Sequence, residues 1–225
     1  QHPAIELTLL CAGRQAGRDI AEITPSFTGM GLPKMVPFDA DQVSNVADYA
    51  FLGLPHGTAQ KATAELLQRG VKVIDLSADH RFEDADFYGR VYSPHAYPKS
   101  LQETVYGLPE LNRERIRTTN LVGCAGCYPT SVILGAQPAV ASDLLASSEI
   151  IADSKSGVSG AGRTASAGTH FPETSDGLHA YKTLGHRHAP EIGHQLGGLT
   201  VRFVPHLVPL IRGILSTIYL RTKPG

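Results

Sequence analysis

Two cysteines stand three positions apart in the stretch GCAGCYPTS, at Cys124 and Cys127. A Cys-x-x-Cys pair beside a strand and a helix is compatible with a redox pair, although thiol oxidoreductases place the first cysteine at the helix start. Pro129 predicts a helix that begins just after Cys127, because proline suits a first helical position. The pattern therefore favours Cys127 as a nucleophile at a helix N-terminus, with two buried small residues as the alternative.

A thiolate in that place has a physical reason to be reactive. The first N–H groups of a helix have no intrahelical acceptor, so they stabilise a thiolate and the oxyanion that forms when its sulfur attacks a carbonyl group. A zinc site is disfavoured, because no second Cys-x-x-Cys pair follows at the usual spacing. The predicted site contains no metal.

The ten histidines of the chain are candidates for an acid/base group beside the thiol. His186 and His188 stand in the stretch GHRHAPEI, just before a helix opened by Pro190. They could form half of a metal site, an exposed or capping pair, or an acid/base group beside the thiolate whose ring Glu191 orients. Spacing alone leaves these three interpretations open.

A glycine-rich loop, SGVSGAGR, follows a predicted strand. Gly157, Ser159 and Gly160 would let the backbone approach a phosphate or a planar ring. Arg163 ends this loop with a fixed cation, and Arg212 offers a second one near a later sheet; a mobile loop and a surface arginine are the plain alternatives.

The elements around these residues alternate between strands and helices. Apolar runs at 49–54 and 71–77 predict buried strands, and the alanine- and leucine-rich run at 57–70 predicts a helix between them. This βαβ unit requires a parallel sheet with helices on its faces. Further strands are predicted at 4–10, 120–124 and 149–156, and alternation after residue 200 predicts a second sheet, with a domain change near 124–130.

Composition limits the classes of function. The chain has 225 residues, 42% of them hydrophobic, and a formal net charge of −1. That length allows a sizeable core, and the charge gives no sign of binding to nucleic acid or to an anionic membrane. No apolar run is long enough to span a bilayer. Three cysteines do not make a disulfide framework, so a reducing cytoplasm is expected.

Several segments together, in this order, resemble the N-acetyl-γ-glutamyl-phosphate reductases, NADPH-dependent members of the semialdehyde dehydrogenases that act in arginine biosynthesis. The segments that carry the resemblance run along nearly the whole chain: FLGLPHG (51–57), VIDLSADHRF (73–82), VYGLPE (105–110), GCYPTS (126–131), SKSGVSGAGR (154–163), HFPE (170–173), GHRHAPEI (185–192) and FVPHLVPLIRGIL (203–215).

The resemblance implies an α/β fold in two domains: a Rossmann-type NADP-binding domain over residues 1–126, and a substrate and oligomerisation domain over 127–225. It implies a homodimer or homotetramer acting on a small acyl phosphate and releasing inorganic phosphate. Where the family usually has Asn-Pro before GCYPT, this chain has Cys124-Ala125. The ends of the sequence also lead us to expect a first strand and glycine-rich loop before it, and further sheet after it.

The resemblance further assigns roles to residues. Cys127 would be the nucleophile that forms a thioester, His186 the acid/base group with His188 and Glu191 supporting it, and Cys124 a bystander. Arg163 and Arg212 would hold the phosphate. The cofactor would contact Leu54, Pro55, His56 and Ser77 at strand ends, the loop residues Gly157, Ser159 and Gly160, and Arg14, whose charge suits the 2′-phosphate of NADP. Three alternatives stay open: a related reductase of aspartyl phosphate or of carrier-linked aminoadipyl phosphate, a thiol redox protein using Cys124 and Cys127, and a protein without cofactor that serves only as an assembly partner.

Overall fold

The computed structural model describes residues 2–224. The chain divides into two compact units. The first contains the residues up to Ala85, together with His95–Gly107 and Glu114–Cys124, and the second contains Asp86–Pro94, Leu108–Arg113 and the residues from Ala125 onward.

Strands and helices alternate along much of the chain. Up to residue 124 they are β1 (Leu10–Cys11), β2 (Met35–Val36), α1 (Ala40–Val46), β3 (Tyr49–Leu52), α2 (Ala59–Gln68), β4 (Lys72–Asp75), α3 (Ala85–Val91), α4 (Pro98–Leu101), β5 (Thr104–Gly107), α5 (Pro109–Thr118) and β6 (Leu121–Cys124). The remainder are α6 (Cys127–Ala141), β7 (Glu149–Gly157), α7 (Phe171–Thr174), β8 (His179–Ala180), α8 (His188–Gln195), β9 (Thr200–Val208) and β10 (Ile214–Tyr219).

A four-stranded parallel sheet in the order β3-β4-β6-β5 organises the first unit. Helix α2 presents Ala59, Ala62 and Leu66 on one side, at the spacing that puts residues on the same face of a helix, and these side chains pack with Val73 of β4 and Leu121 of β6. The loops that carry the predicted cofactor contacts follow β3 and β4. Because both strands run parallel, these loops lie at the same edge of the sheet.

The second unit contains a mixed sheet in the order β10-β7-β9-β8. Strands β7 and β9 are parallel, while β10 and β8 are antiparallel to their neighbours. Along β7 every second residue from Ile150 to Ser156 is buried, as expected for a strand with helices on one face. Helix α6 packs on β10, where Gly135 leaves room for Ile218, and α8 packs on β9.

The structure confirms the α/β class and the second sheet, and corrects two boundaries. The predicted strand at 4–10 is reduced to Leu10–Cys11, paired with β2, and Ile5 and Leu7 stay exposed because no described neighbour covers them. The helix predicted from Pro129 begins two residues earlier, at Cys127. Within residues 2–224, no helix has the length and apolar character needed to cross a membrane.

Candidate active site

Cys127 is the first residue of α6, and it is exposed. Gly126 precedes it as the N-cap residue with extended backbone angles, and its carbonyl oxygen accepts the Thr130 N–H at 2.9 Å. The N–H groups of Cys127 and Tyr128 come too early in the helix to have intrahelical acceptors, and Pro129 has no N–H to offer. The thiol therefore lies beside two backbone donors.

A buried carboxylate holds the turn in front of Cys127. Oε1 of Glu191, on α8, accepts the N–H of Gly126 at 2.9 Å, and the Glu191 side chain is 0% exposed. This contact with the backbone fixes the position of the nucleophile's helix. That Glu191 also orients a histidine ring stays a prediction.

Two tyrosines that sequence reasoning did not select lie beside the thiol. The hydroxyl of Tyr181 donates to that of Tyr128 at 3.1 Å, and Tyr128 donates to the carbonyl oxygen of His206 at 3.1 Å. Burial raises the pKa of both phenols, and the charge of the Cys127 thiolate adds to the rise in each. Their proximity to GCYPT and GHRH was the only sequence signal that could have identified them.

His186 and His188 both lie edge-on to the Tyr128 ring, with ring centroids at 5.9 and 5.8 Å. Their own centroids are 4.7 Å apart. Nδ1 of His186 accepts the backbone N–H of His188 at 3.1 Å, so a neutral His186 carries its proton on Nε2. The structure thus brings both histidines to the neighbourhood of Tyr128.

The environment of His186 changes the charge of its ring. Burial lowers the pKa of His186 to about 4, and the charges of Lys182 and Arg187 contribute. At neutral pH the ring is therefore uncharged, and its Nε2–H is a hydrogen-bond donor.

Cys124 differs from Cys127 in its surroundings. It ends β6 and is partly buried, and its carbonyl oxygen accepts Nε–H of Arg81 at 2.8 Å. Burial raises the pKa of the Cys124 thiol, the charge of Asp75 raises it further, and Arg81 offsets part of the rise. These shifts disfavour the thiolate that a redox pair needs.

The glycine-rich loop is bound to the connection between β9 and β10. The N–H groups of Gly157, Val158 and Ser159 donate to carbonyl oxygens in residues 210–213. A Cβ on Gly157 would lie 2.7 Å from the backbone nitrogen of Arg212, so this position requires glycine. The first N–H groups of the loop are therefore engaged within the protein, while Ser159 and Gly160 remain exposed for other contacts.

Arg163 and Arg212 are both exposed, each at the surface of a loop. Arg212 lines a cavity of about 410 Å³ with Lys155. Neither Cys127 nor His186 belongs to the lining of that cavity.

In the first unit, the loops after β3 and β4 carry the predicted cofactor contacts. Leu54, Pro55 and His56 are exposed at the carboxyl end of β3. Ser77 is buried, and its hydroxyl and N–H donate to the two oxygens of Asp75 at 2.7 and 2.9 Å. Hydrogen bonding thus fixes Ser77, whereas the other three side chains are exposed at the surface of the loop.

These two loops are connected by Asp79 and His56. The carboxylate of Asp79 accepts the N–H groups of Gly57 and Ala59 at 2.7 and 3.1 Å, and Nδ1 of His56 accepts the Ala78 N–H at 2.9 Å. A carboxylate of the chain itself therefore occupies the N-terminus of α2, so this helix end is not available to a phosphate.

The remaining cofactor residue, Arg14, is exposed three positions after the end of β1. Open space surrounds the Cα atoms of the neighbouring Gly13 and of Gly53 after β3, where a Cβ would meet nothing within 4 Å. Backbone that can be approached closely at strand ends, together with an exposed cation, fits a dinucleotide. Among residues 2–224, no group of three potential metal ligands occurs.

Comparison with known proteins identifies both parts of the chain. Residues 1–119 match the semialdehyde dehydrogenase NAD binding domain, and residues 127–225 match the semialdehyde dehydrogenase dimerisation domain. The structure is similar to aspartate semialdehyde dehydrogenase with NADP from Candida albicans, with a TM-score of 0.70 at 14% identity over 100% of this chain and 67% of that one. The Vibrio cholerae aspartate semialdehyde dehydrogenase II gives a TM-score of 0.63 at 16% identity over 95% and 65%.

Curated relatives show higher identity. The chain is 48% identical to N-acetyl-gamma-glutamyl-phosphate reductase of Syntrophobacter fumaroxidans over 100% of its length and 67% of the relative, and 46% identical to that of Geobacter metallireducens over 98% and 65%. It thus spans about two thirds of the length of these relatives. Both domain matches and these identities lead to one conclusion: the chain belongs to the semialdehyde dehydrogenase family.

Proposed function

We propose that this protein reduces N-acetyl-glutamyl 5-phosphate to N-acetyl-glutamate 5-semialdehyde with NADPH, through a thioester on Cys127. The observation that carries the proposal is the exposed thiol on the first residue of α6, beside two backbone donors and the Tyr128, His186 and His188 cluster. The names of the relatives supply the substrate.

In the first step, the Cys127 thiolate attacks the carbonyl carbon of the acyl phosphate. The N–H groups of Cys127 and Tyr128 hold the oxyanion, the carbon–oxygen bond to phosphate breaks, and inorganic phosphate leaves. Glu191 keeps these donors in place through Gly126. Arg163 and Arg212 are the proposed cations for the leaving phosphate.

NADPH, when bound, supplies the hydride that reduces the thioester to a thiohemiacetal. His186 then acts on the oxygen of that intermediate. Its Nδ1 is engaged by the His188 N–H, so neutral His186 donates an Nε2–H hydrogen bond to the alkoxide oxygen that hydride addition produces. The alkoxide then re-forms the carbonyl group as the carbon–sulfur bond breaks. The aldehyde leaves, and Cys127 regains its thiolate; His188 supports the ring.

The two halves of the chain have separate roles in this proposal. Residues 1–126 form the NADP-binding domain, where the cofactor contacts Arg14, Leu54, Pro55, His56 and Ser77. Residues 127–225 form the catalytic and oligomerisation domain, in which Gly157, Ser159 and Gly160 lie near the cofactor. We also propose a homodimer or homotetramer in the cytoplasm.

The test is phosphate-dependent reduction of NADP by the purified protein with N-acetylglutamate semialdehyde. Replacing Cys127 by serine should lower the rate at least about 1,000-fold, because serine cannot form the thioester at a comparable rate. Aspartate semialdehyde, offered in parallel, should be turned over poorly.

Cys124→Ser is the matched control, since it removes the same atom from a cysteine of raised pKa. It should keep most of the wild-type rate. Equal loss in both variants would contradict the assignment of the nucleophile and favour a dithiol mechanism, and turnover that survives Cys127→Ser would overturn the proposed function.

A further inference from the structure

A cavity of about 720 Å³ lies within the second unit, and His186 forms part of its wall. The size is in the range of sites for small molecules. Helix α3 contributes Phe87, Arg90 and Val91, and the segment before α8 contributes Arg187 together with His186. The cavity therefore shares a residue with the cluster around Tyr128.

The charges in this wall have one sign. Three of the lining residues are arginines, and none is aspartate or glutamate. Arg202 is paired with Glu149 at 2.9 Å. Arg90 and Arg187 lie over the rings of Phe87 and Tyr92, at 5.3 and 5.1 Å, and form no ion pair within residues 2–224. Two guanidinium groups thus remain available for an anion.

The rest of the wall is largely apolar. Phe87 and Val91 on α3 face the same space as Val201 and Phe203 on β9. Such a surface suits the methylene and methyl groups of an acylated amino acid, while the arginines suit its carboxylate. An inorganic phosphate alone would leave this apolar wall uncovered.

We infer that this cavity binds the α-carboxylate end of the acyl substrate, and that Arg90 and Arg187 are specificity residues that hold the carboxylate. The inference rests on the proposed function for the identity of the substrate. His186 would then lie between the anchored carboxylate and the carbon attacked by Cys127. Substrates without an anion at that end would bind weakly, because the guanidinium groups would lose a charged partner.

Binding by calorimetry tests the inference without turnover. The probes are N-acetyl-L-glutamine, whose only charge is the α-carboxylate, and its neutral α-amide. The wild-type protein should bind the acid about 10- to 100-fold more tightly, as expected for hydrogen bonds to a charged group. Arg90→Gln and Arg187→Gln should each remove most of this preference, Arg90→Lys should keep part of it, and the exposed control Arg221→Gln should retain it.

Turnover then separates this inference from the proposed function. In kinetics with the semialdehyde, Arg90→Gln should raise KM for the aldehyde more than it lowers kcat, and leave KM for phosphate unchanged. Cys127→Ser should abolish turnover and keep the preference for the acid. An equal preference in wild type and both glutamine variants, no preference in wild type, or an effect confined to KM for phosphate would overturn the carboxylate site. A wild-type protein that prefers the acid but does not turn over the semialdehyde would refute only the proposed function.

Discussion

At the scale of single residues, His186 shows how packing changes the chemistry of a side chain. An exposed histidine gains its charge near pH 6.5. Burial against Tyr128, Tyr181 and Phe203, with Lys182 and Arg187 nearby, lowers the pKa of His186 to about 4. Its role at neutral pH is therefore that of a neutral donor, and the pH dependence of turnover should show no loss of activity from His186 near pH 6.5.

The same shift predicts a pH-dependent stability. Between pH 6.5 and about 4 the unfolded chain holds a proton on residue 186 that the folded chain does not, so the free energy of unfolding rises with pH across this window. Replacing His186 by glutamine should make that slope smaller. Urea unfolding at several pH values measures it, with His179→Gln, at an exposed position, as the control. An unchanged slope in His186→Gln would contradict the neutral state.

At the scale of elements, the two loops after β3 and β4 depend on Asp79. This side chain is 0% exposed and satisfies two N–H groups at the start of α2, where the N-cap residue Thr58 makes no side-chain bond to the helix. Asp79, although distant in sequence, therefore caps α2 and connects the two loops that carry the proposed cofactor contacts.

Removing this cap should be costly. Asp79→Ala leaves two N–H groups without their acceptor and should lower the free energy of unfolding by about 2–4 kcal/mol. The control is Asp39→Ala, because Asp39 caps α1 through one bond at an exposed position and should cost about 1 kcal/mol. Urea unfolding compares the two variants. Similar losses in both would show that Asp79 does not carry the extra stabilisation.

At the scale of the whole molecule, the second sheet has a face that α6 and α8 do not cover. Ile151, Leu215 and Tyr219 lie on it, 43%, 67% and 57% exposed, beside the ion pair of Lys155 with Asp153. Ile151 and Tyr219 are direct neighbours across β7 and β10. Apolar groups on a matched dimerisation domain suit contact with a second copy of the chain.

A charge on that face should weaken the proposed oligomer. Ile151→Asp places a carboxylate where an apolar contact is expected, so we predict a lower molar mass by light scattering at micromolar concentration. Leu111→Asp, at an exposed apolar residue on α5, should leave the mass unchanged. A monomeric wild-type protein would contradict the proposed oligomer. An unchanged molar mass in Ile151→Asp would show that Ile151 does not lie in the interface.

The sequence by itself determined features that depend on local pattern. The spread of alanine and leucine over residues 57–70 predicted α2, and the alternation after residue 200 predicted the second sheet, because which face is buried follows from side-chain spacing alone. Short motifs also singled out Cys127 and His186, since residue types with suitable chemistry stood next to a helix start. The chain's assignment to an α/β class followed from the order of these elements.

Only the tertiary structure decided which hydrogen bonds hold the site residues and how burial shifts their pKa values. Gly126 and Glu191 meet across 65 residues of sequence, and Asp79 reaches α2 across another loop. The pKa of His186 is low because the rings of Tyr181 and Phe203 pack against it and bury it. Desolvation and long-range hydrogen bonds arise from which segments pack together, and no local periodicity encodes that choice.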